Sequence, residues 1–415
     1  MTFVHCADLH LDSPFEGMLD EPEIAELLRE ATFRAWERVV ETAQIENADF
    51  VLIAGDVYDS SDQSLRAQLK FLEGLERLHE GGIQVFVVHG NHDPLSTWKT
   101  RLQFPPNTHR FTDQAVSRAD VVREGEVLAH IFGYSFPTRD VTANVARSFR
   151  RESGEVFSIG LLHTNVGGNA THANYAPCSI SDLVEVDLDY WALGHIHQPQ
   201  LLRNTHPYIA YSGNTQGRHI REPGPRGCFV VGTDGLNISR HDFVETSTVR
   251  WLEETVSIAP FENLDGLLQA IEARSTEIRA NADTRPTLVR WVLTGRGALH
   301  GVLKQGSTIA DLRDNLIDFE RSRVDFVWPE SIQTESRPLV DLDALREQER
   351  FVGEFARCAE EVRKSGGEAI RAVLAAQPEY GKLSDAIEAM PDDDLLECLH
   401  QGVWSGLDRL EEREG

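Results

Sequence analysis

The chain has 415 residues, a length that fits two or three domains. Hydrophobic residues make up 41% and charged residues 26%, enough apolar side chain for folded cores, which excludes disorder or a fibrous architecture for most of the chain. The formal net charge of −27 argues against a broadly basic nucleic-acid face, and no apolar run approaches the roughly 18 residues of a membrane span. The start, Met1-Thr-Phe-Val-His-Cys-Ala-Asp, has neither the basic region nor the cleavage site of a signal peptide, and the five cysteines are widely spaced with no C-x-x-C pair. A reduced cytoplasmic location is expected. Only five lysines occur, so arginine, whose planar fork suits phosphate, supplies nearly all the positive charge.

In chain order, short runs rich in Val, Ile and aromatics predict strands at 3–6, 50–54, 85–88, 127–132, 157–162, 190–193, 208–211 and 228–231. Between them, apolar residues at helical spacing predict helices over 21–46 and 65–78, an α/β pattern. Past residue 255 a helix (264–278), a strand (287–293), a helix (308–319) and a strand (324–327) predict a small α+β module. Beyond Pro338, residues 341–364 and 368–410 read as helical. The expected domains are 1–255, 256–338 and 339–415.

Six of the strands end in polar clusters: Asp8-Leu-His10, Gly55-Asp56-Val-Tyr-Asp59, Gly90-Asn91-His92-Asp93, His163-Thr-Asn, Gly194-His195-Ile-His197 and Ser212-Gly-Asn214. In α/β sheets, ligands bind beyond the carboxyl ends of strands, where side chains from several strands converge. Carboxylate, amide oxygen and imidazole together suit divalent Mn, Fe, Co or Zn better than Mg or Ca. Asp8, His10, Asp56, Asn91, His163, His195 and His197 are seven candidate ligands, too many for one open tetrahedral ion, and two ions sharing a carboxylate account for them. Such a pair serves in-line displacement at phosphorus, so phosphoester hydrolysis is expected.

These motifs resemble the signature of the calcineurin-like metallophosphoesterases. The start through Asp12, the stretch Gly160-Leu-Leu-His-Thr-Asn and the loop Ser212-Gly-Asn-Thr-Gln-Gly-Arg-His-Ile-Arg-Glu are similar to the SbcD-type DNA repair exonucleases, in particular their YhaO-like branch. The resemblance implies a two-sheet β-sandwich flanked by helices, with a small α+β capping domain and a helical C-terminal segment. It implies one metal on Asp8, His10, Asp56 and His197 and a second on Asp56, Asn91, His163 and His195, with Mn expected and Asp56 bridging. His92 would face the leaving oxygen and Asp59 would orient His92, although archaeal and eukaryotic relatives usually carry histidine at the Asp59 position.

The same resemblance implies DNA as substrate, an SMC-like ABC ATPase of SbcC type as partner, and a homodimer through the helices at 21–46 and 65–78. Arg218, His219 and Arg221 are the candidate substrate-binding residues, and with Arg139, Arg147, Arg150, Arg151 and Arg226 they suggest a local basic track inside an acidic protein. Phe351, Val352, Phe355, Val362 and Ile370 offer a face for the ATPase or for the protein's own core. Trp98 is a candidate for stacking on a base. The competing readings are a phosphatase or phosphodiesterase for small molecules or proteins, and a non-catalytic scaffold subunit.

Overall fold

The structure is a computed structural model that describes residues 1–13, 21–59, 64–97, 102–152, 154–168, 174–377 and 380–414. Trp98 lies outside the described residues. Met1–Val256, Asp265–Leu293 and Gln305–Thr334 form one compact unit, and Ser257–Leu264, Thr294–Lys304 and Glu335–Gly415 form a second.

The first unit is built on two six-stranded sheets. One holds β1 (Thr2–Cys6), β2 (Phe50–Ala54), β3 (Gln84–Val88) and β4 (Thr108–Arg110) in parallel, extended beyond β1 by antiparallel β11 (Gly227–Asp234) and β12 (Asn237–Glu245). The other holds β5 (Ser117–Arg123), β6 (Glu126–Tyr134), β7 (Phe157–His163), β8 (Tyr190–Gly194), β9 (Gln200–Arg203) and β10 (Tyr208–Tyr211) in the order β5-β6-β7-β8-β10-β9. Strand alternation sends Phe3, Leu52, Phe86, Ile131, Ile159 and Ala192 into the core between the sheets. The opposite face of the first sheet, with Val4, Val51, Ile53 and Val85, is covered by α1 (Pro22–Ile45) and α2 (Leu65–Glu80) through Trp36, Val39, Phe71 and Leu75. The second sheet buries Phe132, Leu162, Trp191 and Leu193 under Phe136, Phe149 and Leu183 of α3 (Ile180–Glu185). This is the two-sheet sandwich expected.

A third sheet, β13 (Arg250–Ser257), β14 (Thr287–Thr294) and β16 (Val327–Thr334), belongs to the same unit together with most of α4 (Leu264–Asn281) and α6 (Gly306–Glu320). Trp251, Leu288 and Trp328 of this sheet and Ile317 of α6 pack with Ile24 and Leu28 of α1. The last strand starts three residues later than the sequence predicts and runs through Pro329; Val324 is 89% exposed. Proline reads as a strand breaker, yet β16 is an edge strand, where a missing N–H leaves no ladder bond unmade. β12 was not predicted because its residues alternate around charges and it lies at a sheet edge.

In the second unit β15 (Arg296–Gly297) pairs with β17 (Arg337–Pro338) beside α5 (His300–Leu303). Among the described residues the α-helices α7 (Leu342–Arg346), α8 (Phe351–Ser365), α9 (Gly367–Ala375), α10 (Ser384–Ala389) and α11 (Asp392–Glu414) follow. Gly366, at φ +82°, separates α8 from α9, a backbone angle that favours glycine. The apolar face expected here is divided. Val352 and Ile370 are buried and Phe355 lies against Gly406 of α11, whereas Phe351 is 70% exposed.

Candidate metal centre

The parallel strands β1, β2 and β3 of one sheet and β7 and β8 of the other end at the same place. Residues following β1 bring Asp8 and His10, β2 brings Asp56 and Asp59, β3 brings Asn91 and His92, β7 ends on His163, and β8 is followed by His195 and His197. All seven candidate ligands are therefore gathered at one site, each largely or wholly buried. Four of them, Asp8 (φ +51°), His10 (+43°), Asp56 (+48°) and His195 (+99°), have left-handed backbone, which costs free energy in non-glycine residues and clusters at functional sites. Gly90 and Gly194 have no room for a side chain: a Cβ on either would press on Asp56 and His163, or on the Ala54 carbonyl and His163.

Hydrogen bonds fix which ring nitrogens carry protons. His163 Nδ1 lies 2.9 Å from the Ala54 carbonyl oxygen, which can only accept, so Nδ1 donates. In the neutral ring Nε2 is then a bare lone pair, and it faces Asn91 Oδ1 at 3.0 Å and Asp56 Oδ2 at 3.4 Å. His197 Nδ1 donates to Glu222 Oε1 at 2.6 Å, and His10 Nδ1 lies 2.9 Å from Asp59 Oδ1. Nε2 of His197, left without a proton, faces Nε2 of His10 across 3.2 Å. The His163 Nε2 lone pair faces oxygen lone pairs of Asn91 and Asp56, which is repulsive unless a cation sits among them, so the donor set fits divalent metal. The donors of Asp8, His10 and His197 lie within 4.8 Å of one another, as do those of Asp8, Asp56 and His163. Asp56 Oδ2 faces both clusters, 3.8 Å from His10 Nε2 and 3.4 Å from His163 Nε2. His195 joins through its backbone N–H, which donates to both Asp8 oxygens at 3.1 Å, and its ring lies 5.2 Å from that of His163.

The electrostatics agree. Burial, and then the neighbouring Asp56 carboxylate, push the Asp8 carboxyl well above its usual range. Burial acts the same way on Asp56, yet His163, His92 and His10 outweigh it and hold that carboxyl low. Burial, helped by Arg218, pushes the His10 imidazole down to about 3, keeping it neutral and able to ligate.

Asp59 behaves differently from its expected role. Its carboxylate is bonded to Arg218, accepts from Ser13 Oγ at 2.9 Å and lies nearer His10 than His92, whose Nδ1 is 3.5 Å away. His92 is held instead by the Asp59 backbone carbonyl, at 2.7 Å from Nδ1. Beside the centre opens a cleft of about 730 Å³ lined by Asp56, Asn91, His92, Arg139, Tyr175, Gln198, Arg218, His219 and Arg221, among others. The basic track does not run as expected. Arg147 pairs with Asp182, Arg150 bonds the Arg147 and Phe149 carbonyls, Arg151 forks onto Asp189, and none of them lines the cleft; Arg226 does, but is buried against the His197 and Pro223 carbonyls. The arginine loop is pinned from the third sheet, by Trp251 Nε1 to the Gly217 carbonyl at 2.9 Å and by Gln216 Nε2 to the Val249 carbonyl at 2.7 Å.

Three residues at this site escaped sequence reasoning. Asp93 accepts the Val57 and Gly90 N–H groups at 3.0 Å, tying the Asp56 loop to the Asn91 loop; its place in Gly-Asn-His-Asp was the available signal. Tyr175 lines the cleft with its ring 5.7 Å from that of His195. Glu222 lies 25 residues beyond the histidine it touches, and no spacing rule marks it.

The calcineurin-like phosphoesterase family matches residues 1–199, and the middle domain of the metallophosphoesterase YhaO matches residues 251–337. The uncharacterized metallophosphoesterase YhaO of Bacillus subtilis (strain 168) is 36% identical over 346 residues, covering 83% of this chain and 84% of its own. The chain belongs to the calcineurin-like metallophosphoesterases. More distant relatives of this metallophosphoesterase include the SbcD component of the nuclease SbcCD of the same organism, 26% identical over 54% of this chain and 64% of its own. The DNA double-strand break repair protein Mre11 of Aeropyrum pernix is 28% identical over 51% and 52%. The metallophosphoesterase fold uses a dinuclear metal site, and the clusters above are its candidate ligands here.

Proposed function

We propose that this metallophosphoesterase is a two-metal phosphodiesterase that cleaves DNA, with Mn as its metal, in the cytoplasm. One metal would be held by Asp8, His10, Asp56 and His197 and the other by Asp56, Asn91, His163 and His195. When bound, the two cations supply positive charge to the phosphoryl oxygens and lower the pKa of the attacking water. The chain's own residues do the rest. Asp59 and Glu222 orient His10 and His197 through Nδ1, His92 is set by its Nδ1–H on the Asp59 carbonyl so that Nε2, carrying a second proton in the imidazolium form, can pass that proton to the leaving oxygen, and Arg218, His219 and Arg221 receive flanking phosphates.

The observation that carries the reading is the His163 Nε2 lone pair aimed at the Asn91 and Asp56 oxygens, with the His10 and His197 Nε2 atoms 3.2 Å apart, beside an arginine-bearing cleft. DNA rather than a small ester is favoured by the likeness to the SbcD component of SbcCD and to Mre11, and by the third sheet that pins the arginine loop. In the same reading an SMC-like ABC ATPase docks on the second unit, where Phe351 is exposed, and Ile45, Leu65 and Leu69, 77%, 65% and 50% exposed on α1 and α2, serve a homodimer.

Nuclease assays with Mn on linear double-stranded and single-stranded DNA, run beside bis-p-nitrophenyl phosphate, test the proposal. Cleavage of DNA is expected, and Asp56→Asn should abolish it together with metal binding. Hydrolysis of the small ester alone would favour a small-molecule phosphodiesterase.

A further inference from the structure

Glu222 is buried between His197 and the arginine loop. Its Oε1 accepts the His197 Nδ1–H at 2.6 Å. Its Oε2 accepts from Asn214 Nδ2 and from the Arg218 backbone N–H, both at 2.7 Å. His219 Nε2 lies 3.4 Å from Oε1, and the Glu222 N–H closes the turn onto the His219 carbonyl at 2.8 Å. One carboxylate is thus shared by a metal-site imidazole and by the stretch that carries Arg218, His219 and Arg221.

We infer that Glu222 is a positioning residue that couples cation binding at His197 to the order of the arginine loop. The inference rests on the proposed assignment of His197 as a ligand. A cation drawing on the Nε2 lone pair makes Nδ1–H a stronger donor, which tightens the bond to Oε1 and holds Glu222 in place. The Arg218 amide and the Asn214 side chain, bonded to the other oxygen, are ordered with it. By linkage the effect runs both ways: a loop held in this geometry presents His197 in the tautomer and rotation that ligation needs. Filling the metal position thereby stabilises the geometry in which the cleft receives phosphate.

The test uses the full chain and Glu222→Gln, which keeps the shape but replaces one acceptor oxygen by an NH₂ group unable to accept. Mn²⁺ titration by calorimetry and electron paramagnetic resonance, with amide hydrogen exchange of residues 214–222, reads both arms. The wild type is expected to bind two Mn²⁺ and to slow exchange at the Arg218 amide when it does. Glu222→Gln should bind one of the two ions roughly 10- to 100-fold more weakly, and Mn²⁺ should no longer slow exchange in the loop. Asn214→Ala, which removes a loop-side donor and leaves the His197 contact, carries the same exchange test if Glu222→Gln does not fold: reduced Mn²⁺-dependent protection is expected. Wild-type affinity at both positions in Glu222→Gln, or undiminished Mn²⁺-dependent protection in the folded variant, would overturn the coupling. A wild type that fails to bind two Mn²⁺ would overturn the ligand assignment itself, which is a separate result.

Discussion

Gly194→Ala tests whether the two sheets must meet as closely as they do for the metal centre to form. A Cβ at Gly194 would lie 2.9 Å from the Ala54 carbonyl carbon, closer still to its oxygen, and 3.0 Å from His163 Nδ1. Carbon and oxygen settle at about 3.3 Å or more, so the overlap with the carbonyl oxygen exceeds about 1 Å. Both neighbours are backbone or a packed ring, and neither can swing away as a long side chain could. The ends of β2 and β8 must part, and this displaces the bond that gives His163, at the end of the neighbouring β7, its tautomer: Nδ1 to the Ala54 carbonyl. Overpacking of this kind costs about 1–3 kcal/mol of stability. Losing the partner behind a ligating imidazole weakens metal binding by roughly 10- to 100-fold. Calorimetric Mn²⁺ titration and thermal unfolding with and without Mn²⁺ measure the two effects. Gly154→Ala, where a Cβ would meet nothing within 4 Å, is the control expected to change neither. Gly194→Ala binding two Mn²⁺ at wild-type affinity would refute the argument that this contact orients His163.

Single contacts carry the remaining predictions. His92→Ala should keep both metals, since His92 is not a proposed ligand, and lose roughly 10²-fold or more in kcat on a phosphodiester; loss of bound metal from a folded variant would show that His92 is a ligand after all. Phe351→Glu should leave the melting temperature and hydrolysis of a small phosphodiester unchanged, because the ring is already exposed, while abolishing binding to the proposed ATPase partner; equal affinity in a calorimetric titration would remove this face from the proposed interface. His5, buried between Tyr190 Oη at 3.0 Å and the Leu193 carbonyl at 3.2 Å, is pushed by burial down to about 3. The unfolded chain therefore takes up a proton near pH 6.5 that the folded chain refuses. Stability is undiminished above that pH and falls by as much as ~1.4 kcal/mol per pH unit toward pH 3, a slope that denaturant titrations should find reduced in His5→Gln.

The candidate ligand set was legible because its residues occupy fixed offsets from short, continuous apolar runs, which read easily as buried strands. What could not be read was the pairing of charges across the fold. Arg147, Arg150 and Arg151 look in sequence like a track with Arg139, but Asp182 and Asp189 and local carbonyls take them, and those partners arrive from α3 and the start of β8. Asp59 shows the same limit at shorter range. Its carboxylate lies 2.9 Å from His10 and 3.5 Å from His92 and bonds Arg218, an order of contact that no sequence spacing shows.

The same reasoning explains how an acidic chain can present the proposed phosphate-binding cleft. Repulsion between its net charge and a polyanion is screened beyond about 8–10 Å at ordinary salt, whereas contacts within the cleft are not. Short-range order therefore decides, and it is supplied by residues without phosphate chemistry of their own: Trp251 and Gln216 hold the loop from behind, and Asp59 and Glu222 hold it from the metal side. Arg218 sits where these supports meet, its guanidinium on Asp59 and its amide on Glu222, so its placement depends on both histidines whose Nε2 atoms face each other. The third sheet, which looks in sequence like an appended module, is by this route part of the site.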